Sequence, residues 1–196
     1  FGIGFSIILS NARERGANGH KIFYRRMTGL AVIGLLHLLL LWTGDILLLY
    51  ALMGMLLPLF FQLTDRWLLR WAAVFLLLPV VVDTVTAILC IDPSAPAYNL
   101  WIEWRATVGI NEENFPVWLS DAESYGDVLK FVLTAAPERL YEFIDSNRYF
   151  KVLGLFLLGA YVGRHRVFAR LEELRPRLVR WLKMGLLWSI PANLLY

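Results

Sequence analysis

The most constraining feature of this sequence is an apolar stretch from Met27 to Gln62, 36 residues whose strongly polar members are His37 and Asp45. As a single helix it would be roughly 54 Å long, whereas the hydrocarbon core of a bilayer is about 30 Å thick. The stretch must therefore turn back on itself, and Trp42-Thr43-Gly44-Asp45 is the place. Gly44 suits the residue just past a helix end, and Asp45 suits the N-cap of the next helix. Two spans are predicted, about 27–43 and 46–62.

The same rule applied along the chain predicts an all-α, polytopic transmembrane bundle of about six spans, forming a single transmembrane domain over 1–196. The first span is the tail of a helix, Phe1 to Leu9, and the last begins near Met184. Both look cut, so the chain reads as part of a longer protein. A fourth span, about Trp67 to Ile91, carries Pro79 as an expected kink, and a fifth runs from Arg148 to Gly163. Composition agrees: 58% of residues are hydrophobic and 18% charged, against about 25% charged in ordinary soluble domains.

Charge predicts orientation. Segment 10–26 carries Arg13, Arg15, Lys21, Arg25 and Arg26, the turn after Gln62 carries Arg66 and Arg70, and 164–183 carries seven Lys/Arg. Segment 92–147 holds only Arg105, Lys130 and Arg139 against ten Asp/Glu. By the positive-inside rule, 10–26, 64–66 and the basic amphipathic segment 164–183 face the cytoplasm. The 43–45 turn and 92–147, with amphipathic pieces at Tyr125–Thr134 and Glu138–Ile144, face outward. The basic residues only flank spans, so nucleic acid is excluded as a partner and the bilayer is expected. The lone Cys90 allows no intrachain disulfide, and no metal motif, phosphate loop, nucleophile elbow or inverted repeat is present. Gly159 and Gly163 have the small-xxx-small spacing of helix packing.

Ionisable residues at membrane depth are costly and mark partners or cavities. His37 is one: it either hydrogen-bonds a neighbouring helix or acts as a general base or proton carrier. Gly34, one turn earlier, leaves room for another helix or a ligand. Arg26 precedes His37 by eleven residues, which places the two on one helix face roughly 16 Å apart. Arg25 and Arg26 either only orient the protein or also hold a phosphorylated cytosolic ligand. Asp45 is an N-cap, an orienting partner for His37, or a contact for a substrate from the outer face. Asp83 is a cap or interface residue, or the third member of a polar cluster with His37 and Asp45.

Phe1-Gly2-Ile3-Gly4-Phe5, Arg25-Arg26, Gly34-Leu35-Leu36-His37, and Gly44-Asp45-Ile46-Leu47 with Tyr50 and Gly54 form an ordered series over roughly residues 1–60. In this the chain resembles the YeiB-like family of bacterial inner-membrane proteins. That family is in turn similar to transmembrane acyltransferases of the heparan-glucosaminide acetyltransferase type. The resemblance implies a multi-pass protein of the bacterial inner membrane that moves an acyl group from cytosolic acyl-CoA to a sugar-like acceptor on the other side. Acyl-CoA would be a substrate, with no metal or further cofactor implied. His37 and Asp45 are the candidate catalytic residues; Arg25, Arg26 and Asp83 are the candidate substrate-binding residues. A proton-coupled permease using His37 and Asp83 and a non-catalytic membrane partner remain alternatives.

Overall fold

The computed structural model of the chain describes residues 1–134 and 136–194. Among them it is all-helical, with no strand. The elements are α1 (Gly2–Glu14), α2 (Gly19–Leu40), α3 (Leu47–Phe61), α4 (Asp65–Leu89), α5 (Ala95–Thr107), α6 (Tyr125–Thr134), α7 (Ala136–Asp145), α8 (Arg148–Arg164), a 3₁₀ turn (Val167–Arg170) and α9 (Leu171–Leu194). Two helices, α2 and α4, are long and apolar enough to cross a membrane. α8 with Val167–Ile190 makes a third candidate, bent by 50°, and α3 is apolar but shorter.

The expected hairpin over 27–62 is present as α2 and α3. α2, however, starts eight residues earlier than the apolar stretch suggests. Asn18 caps it by accepting from the Lys21 amide at 3.0 Å, and no helix breaker stands between Gly19 and Met27. Lys21, Arg25 and Arg26 thus lie on the first turns of the span itself. Hydropathy marks where a chain leaves hydrocarbon, whereas capping marks where a helix begins. α9 carries Pro176 within one continuous helix. Leu195 and Tyr196, which close the predicted last span, lie outside the described residues.

Five helices surround one core of Phe5, Phe23, Met27, Leu57, Leu68, Leu157 and their neighbours. Glycines set how closely they approach. A Cβ on Gly2 would fall on the Phe156 carbonyl and within 2.5 Å of the Ala160 nitrogen, and one on Gly163 would lie 2.8 Å from Ser6 Cβ. α1 and α8 therefore run parallel in backbone contact; Gly159 and Gly163 lie at this seam, their spacing predicting close helix packing but not which helix is the partner. The Ser6 hydroxyl fastens the same seam by donating to the Ala160 carbonyl at 2.9 Å. α4 packs on α8 in the opposite sense, with Gly154 against Leu76 and Ala72.

These contacts give the bundle two unlike ends. At one, Arg164 donates to the Phe61 and Leu63 carbonyls and pairs with Asp65 at 2.7 Å, while His165 meets the other Asp65 oxygen at 2.8 Å. The end of α1 and the start of α2 lie at this basic end too. At the other end, α5, α6 and α7 form a cap. The Tyr125 hydroxyl donates to the Leu40 carbonyl at 2.6 Å, closing the free end of α2. The two amphipathic pieces expected from sequence are α6 and α7. Between the ends, α2 and α4 turn Val32, Ile33, Leu77, Val80 and Val81 to the exterior, all more than half exposed. An apolar exterior of this kind suits lipid.

Candidate functional site

The site begins with the close approach of α2 to α3. A Cβ on Gly34 would lie 2.5 Å from the Leu48 nitrogen, so the backbone of α2 passes directly over the first turn of α3. One turn further, His37 comes beside Asp45, two residues before that helix. Its Nδ1 lies 3.1 Å from Asp45 Oδ1. The second carboxylate oxygen, Oδ2, accepts from the Leu48 amide at 2.8 Å. Asp45 thus makes two of the three contacts its position suggests: it accepts from the first turn of α3 and it pairs with His37. The α3 boundary itself falls at Ile46–Leu47, one residue beyond the predicted cap.

The two partners differ in exposure. Asp45 is 1% exposed, while the His37 side chain retains about a third of its surface. A carboxylate can only accept, so His37 Nδ1 carries the proton and donates it to Asp45. That leaves Nε2 as the basic nitrogen, with no hydrogen-bond partner among the described residues. The arrangement can hold an imidazole in one tautomer with its basic edge available, the configuration a general base requires.

A residue that sequence reading did not single out completes the turn. Arg139 of α7 donates through Nε to the Asp45 carbonyl at 2.8 Å and through Nη2 to the Gly44 carbonyl at 2.9 Å. Its Nη1 pairs with Glu142, and its guanidinium lies over the Phe143 ring at 5.0 Å. One buried arginine of the cap therefore grips the loop that carries Asp45. Gly44 is not there for a left-handed backbone. A Cβ at this position would meet the indole of Trp42, an exposed side chain that would have to turn aside. Next to Arg139, burial pushes the Glu138 carboxyl above its usual range and Glu142 adds to the effect, while Arg105 and Arg139 oppose it. Arg105 is itself buried, stacked on Trp101 and Phe115.

The other candidates lie elsewhere. Arg25 and Arg26 are exposed on the early turns of α2, without an acidic partner among the described residues. The unbroken helix keeps Arg26 and His37 roughly 16 Å apart on one face. Asp83 sits on α4 and accepts from Asn147 Nδ2 at 2.6 Å, joining α4 to the start of α8. Its described partner is Asn147, not His37 or Asp45. Asn147 is buried and left-handed, with φ 49°. A polar residue before an apolar run was the only sequence hint of it.

The fold and site together define an all-helical protein with two to three membrane-span candidates and a histidine–aspartate pair beneath a helical cap. No protein-family model matches the chain, and no solved structure matches it. It is similar to the uncharacterized protein YxaH of Bacillus subtilis (strain 168), with 29% identity over 209 residues, covering all of this chain and 48% of that protein. The chain thus spans about half the length of that relative.

Proposed function

We propose that the chain belongs to a multi-pass inner-membrane acyltransferase, built as a bundle of about six spans with its basic end in the cytoplasm and its cap outside. The observation that carries this reading is the His37–Asp45 pair: a buried carboxylate fixing an imidazole whose other nitrogen remains available. In the reaction, His37 Nε2 takes the proton of an acceptor hydroxyl. The hydroxyl oxygen attacks the thioester carbonyl of acyl-CoA, the new C–O bond forms, and the C–S bond breaks. The thiolate leaves with the proton that His37 returns. Asp45 holds the imidazole and stabilises the imidazolium between the two transfers. Arg25 and Arg26 attract the donor's phosphates from the cytoplasmic side. The acceptor, a sugar-like alcohol, approaches from beneath the cap, and Asp83 is a candidate contact for it.

The test is transfer itself. Purified protein in vesicles receives acyl-CoA with a labelled acyl group on the side of Arg25 and Arg26, and an amine-free sugar such as glucose on the other. Label on the acceptor, reduced about 100-fold or more in His37→Ala, supports the reading. Absence of both transfer and acyl-CoA binding ends it. The Leu48 and Arg139 contacts favour one competing reading, in which the pair is a clasp for the α2–α3 turn. A His37→Ala protein that melts lower yet keeps full transfer would establish the clasp.

A further inference from the structure

At the basic end, α1, the end of α8 and the 3₁₀ turn enclose a cleft of about 910 Å³. Its polarity runs in one direction. Ile3 and Ile7 on α1, with Val162 on the α8 face that packs against Ile3 and Ser6, supply its apolar part; Arg13 and Arg166 line it further toward the end of α1, with Ser10 and Asn11. From Ile3 to Arg13 the helix rises roughly 15 Å. Three arginines and one glutamate line the cleft. Arg164 is committed to Asp65 and two carbonyls. Arg166 reaches Glu14 only at 3.5 Å and Ser10 at 3.2 Å, and Arg13 has no acidic partner among the described residues. Two guanidinium groups are therefore available at the mouth of an apolar slot. The slot is open at its side, where Ile7 is 51% exposed.

We infer that this cleft binds an anionic phospholipid of the surrounding bilayer, its phosphodiester between Arg13 and Arg166 and one acyl chain along Ile3, Ile7 and Val162. Guanidinium forks match phosphate oxygens, and an anionic headgroup is drawn to a basic membrane-proximal surface. The lateral opening decides between sources of the same chemistry. A bilayer lipid enters sideways without taking its chain through water, whereas a soluble acyl carrier must desolvate its chain at the charged mouth. The inference depends on the chain being membrane-embedded and not on acyl transfer.

The experiment is native mass spectrometry of the full chain released from nanodiscs of phosphatidylglycerol or phosphatidylcholine. Expected is one retained phosphatidylglycerol per chain, with retention about tenfold lower in R13Q/R166Q and in Ala169→Trp, which fills the slot. Arg13, Arg166 and Ala169 are all exposed, so these changes leave the core untouched. R25Q/R26Q, outside the cleft, and His37→Ala should retain the lipid. Equal retention in the cleft variants, which marks an adventitious lipid only, overturns the assignment. Equal retention of phosphatidylcholine, or equal loss in R25Q/R26Q, does the same by showing that the arginine pair selects nothing. Displacement by acyl-CoA but not by added phosphatidylglycerol assigns the cleft to a soluble carrier and also overturns it.

Discussion

Replacing Asp45 by Asn should separate its two roles, because the Leu48 amide dictates how the asparagine must sit. That amide donates at 2.8 Å and needs an oxygen, so the asparagine carbonyl faces Leu48 and its NH₂ faces His37. An NH₂ can only donate. His37 Nδ1 must then accept, and the ring proton moves to Nε2, the nitrogen that would act as base. The cap survives and one hydrogen bond changes from charged to neutral, so stability should fall by only about 1 kcal/mol. Asp45→Ala removes both contacts and leaves a buried amide unpaired, and should cost about 2–4 kcal/mol. The assay is ¹⁵N NMR of labelled histidine at a pH where the ring is neutral. The chain has three histidines, and His37→Ala assigns the signal. Thermal melts in detergent supply the stabilities. The expected pattern is an Nδ1–H ring in the native protein, an Nε2–H ring in Asp45→Asn, and a large stability loss only in Asp45→Ala. If the protein transfers acyl groups, Asp45→Asn should lose about 10²- to 10⁴-fold in rate. An unchanged tautomer in Asp45→Asn, or equal destabilisation by Asn and Ala, would refute the reasoning.

Three further outcomes are expected. Gly2→Ala drives a methyl into the Phe156 carbonyl at the α1–α8 seam and should lower stability by about 1–3 kcal/mol in a thermal melt. Arg139→Met keeps the bulk but removes both donors to the α2–α3 turn. It should cost about 2–4 kcal/mol and expose the turn at 41–46 to faster limited proteolysis. Glu138 has its folded-state carboxyl raised, chiefly by burial. Its contribution is therefore full below the unfolded value and is lost as pH rises through the folded one. Glu138→Gln should flatten that slope and melt higher than the native protein at neutral pH, read from melting temperature across about pH 4 to 8.

Much of this was legible because it is local. The 36-residue apolar stretch forces a turn, and the turn brings residues eight apart, His37 and Asp45, into contact. α6 and α7 followed from amphipathic spacing, and close helix packing at Gly159 and Gly163 from theirs, without the identity of the partner helix. The start of α2 is not marked by hydropathy, because lysine and arginine sit as well on an exposed helical turn as in a loop. Arg139 and Asn147 were not legible. Their partners lie 94 and 64 residues away, and nothing in their own neighbourhoods signals a long-range acceptor. Asp83 could be read as a membrane-depth carboxylate, but its pairing depends on α4 packing against α8, which hydropathy does not encode.

The grip of Arg139 on the α2–α3 turn also sets an order of events. His37 and Asp45 are made together, but the arginine that holds their loop is added 94 residues after Asp45. At about 5–20 residues per second, that is a delay of about 5–20 s. During that interval the hairpin exists with the Gly44 and Asp45 carbonyls unclaimed by the cap. The loop therefore gains its arginine clasp only when α7 folds back over the bundle. Formation of the hairpin brings the pair together, and completion of the cap is the later step that clasps the loop carrying it.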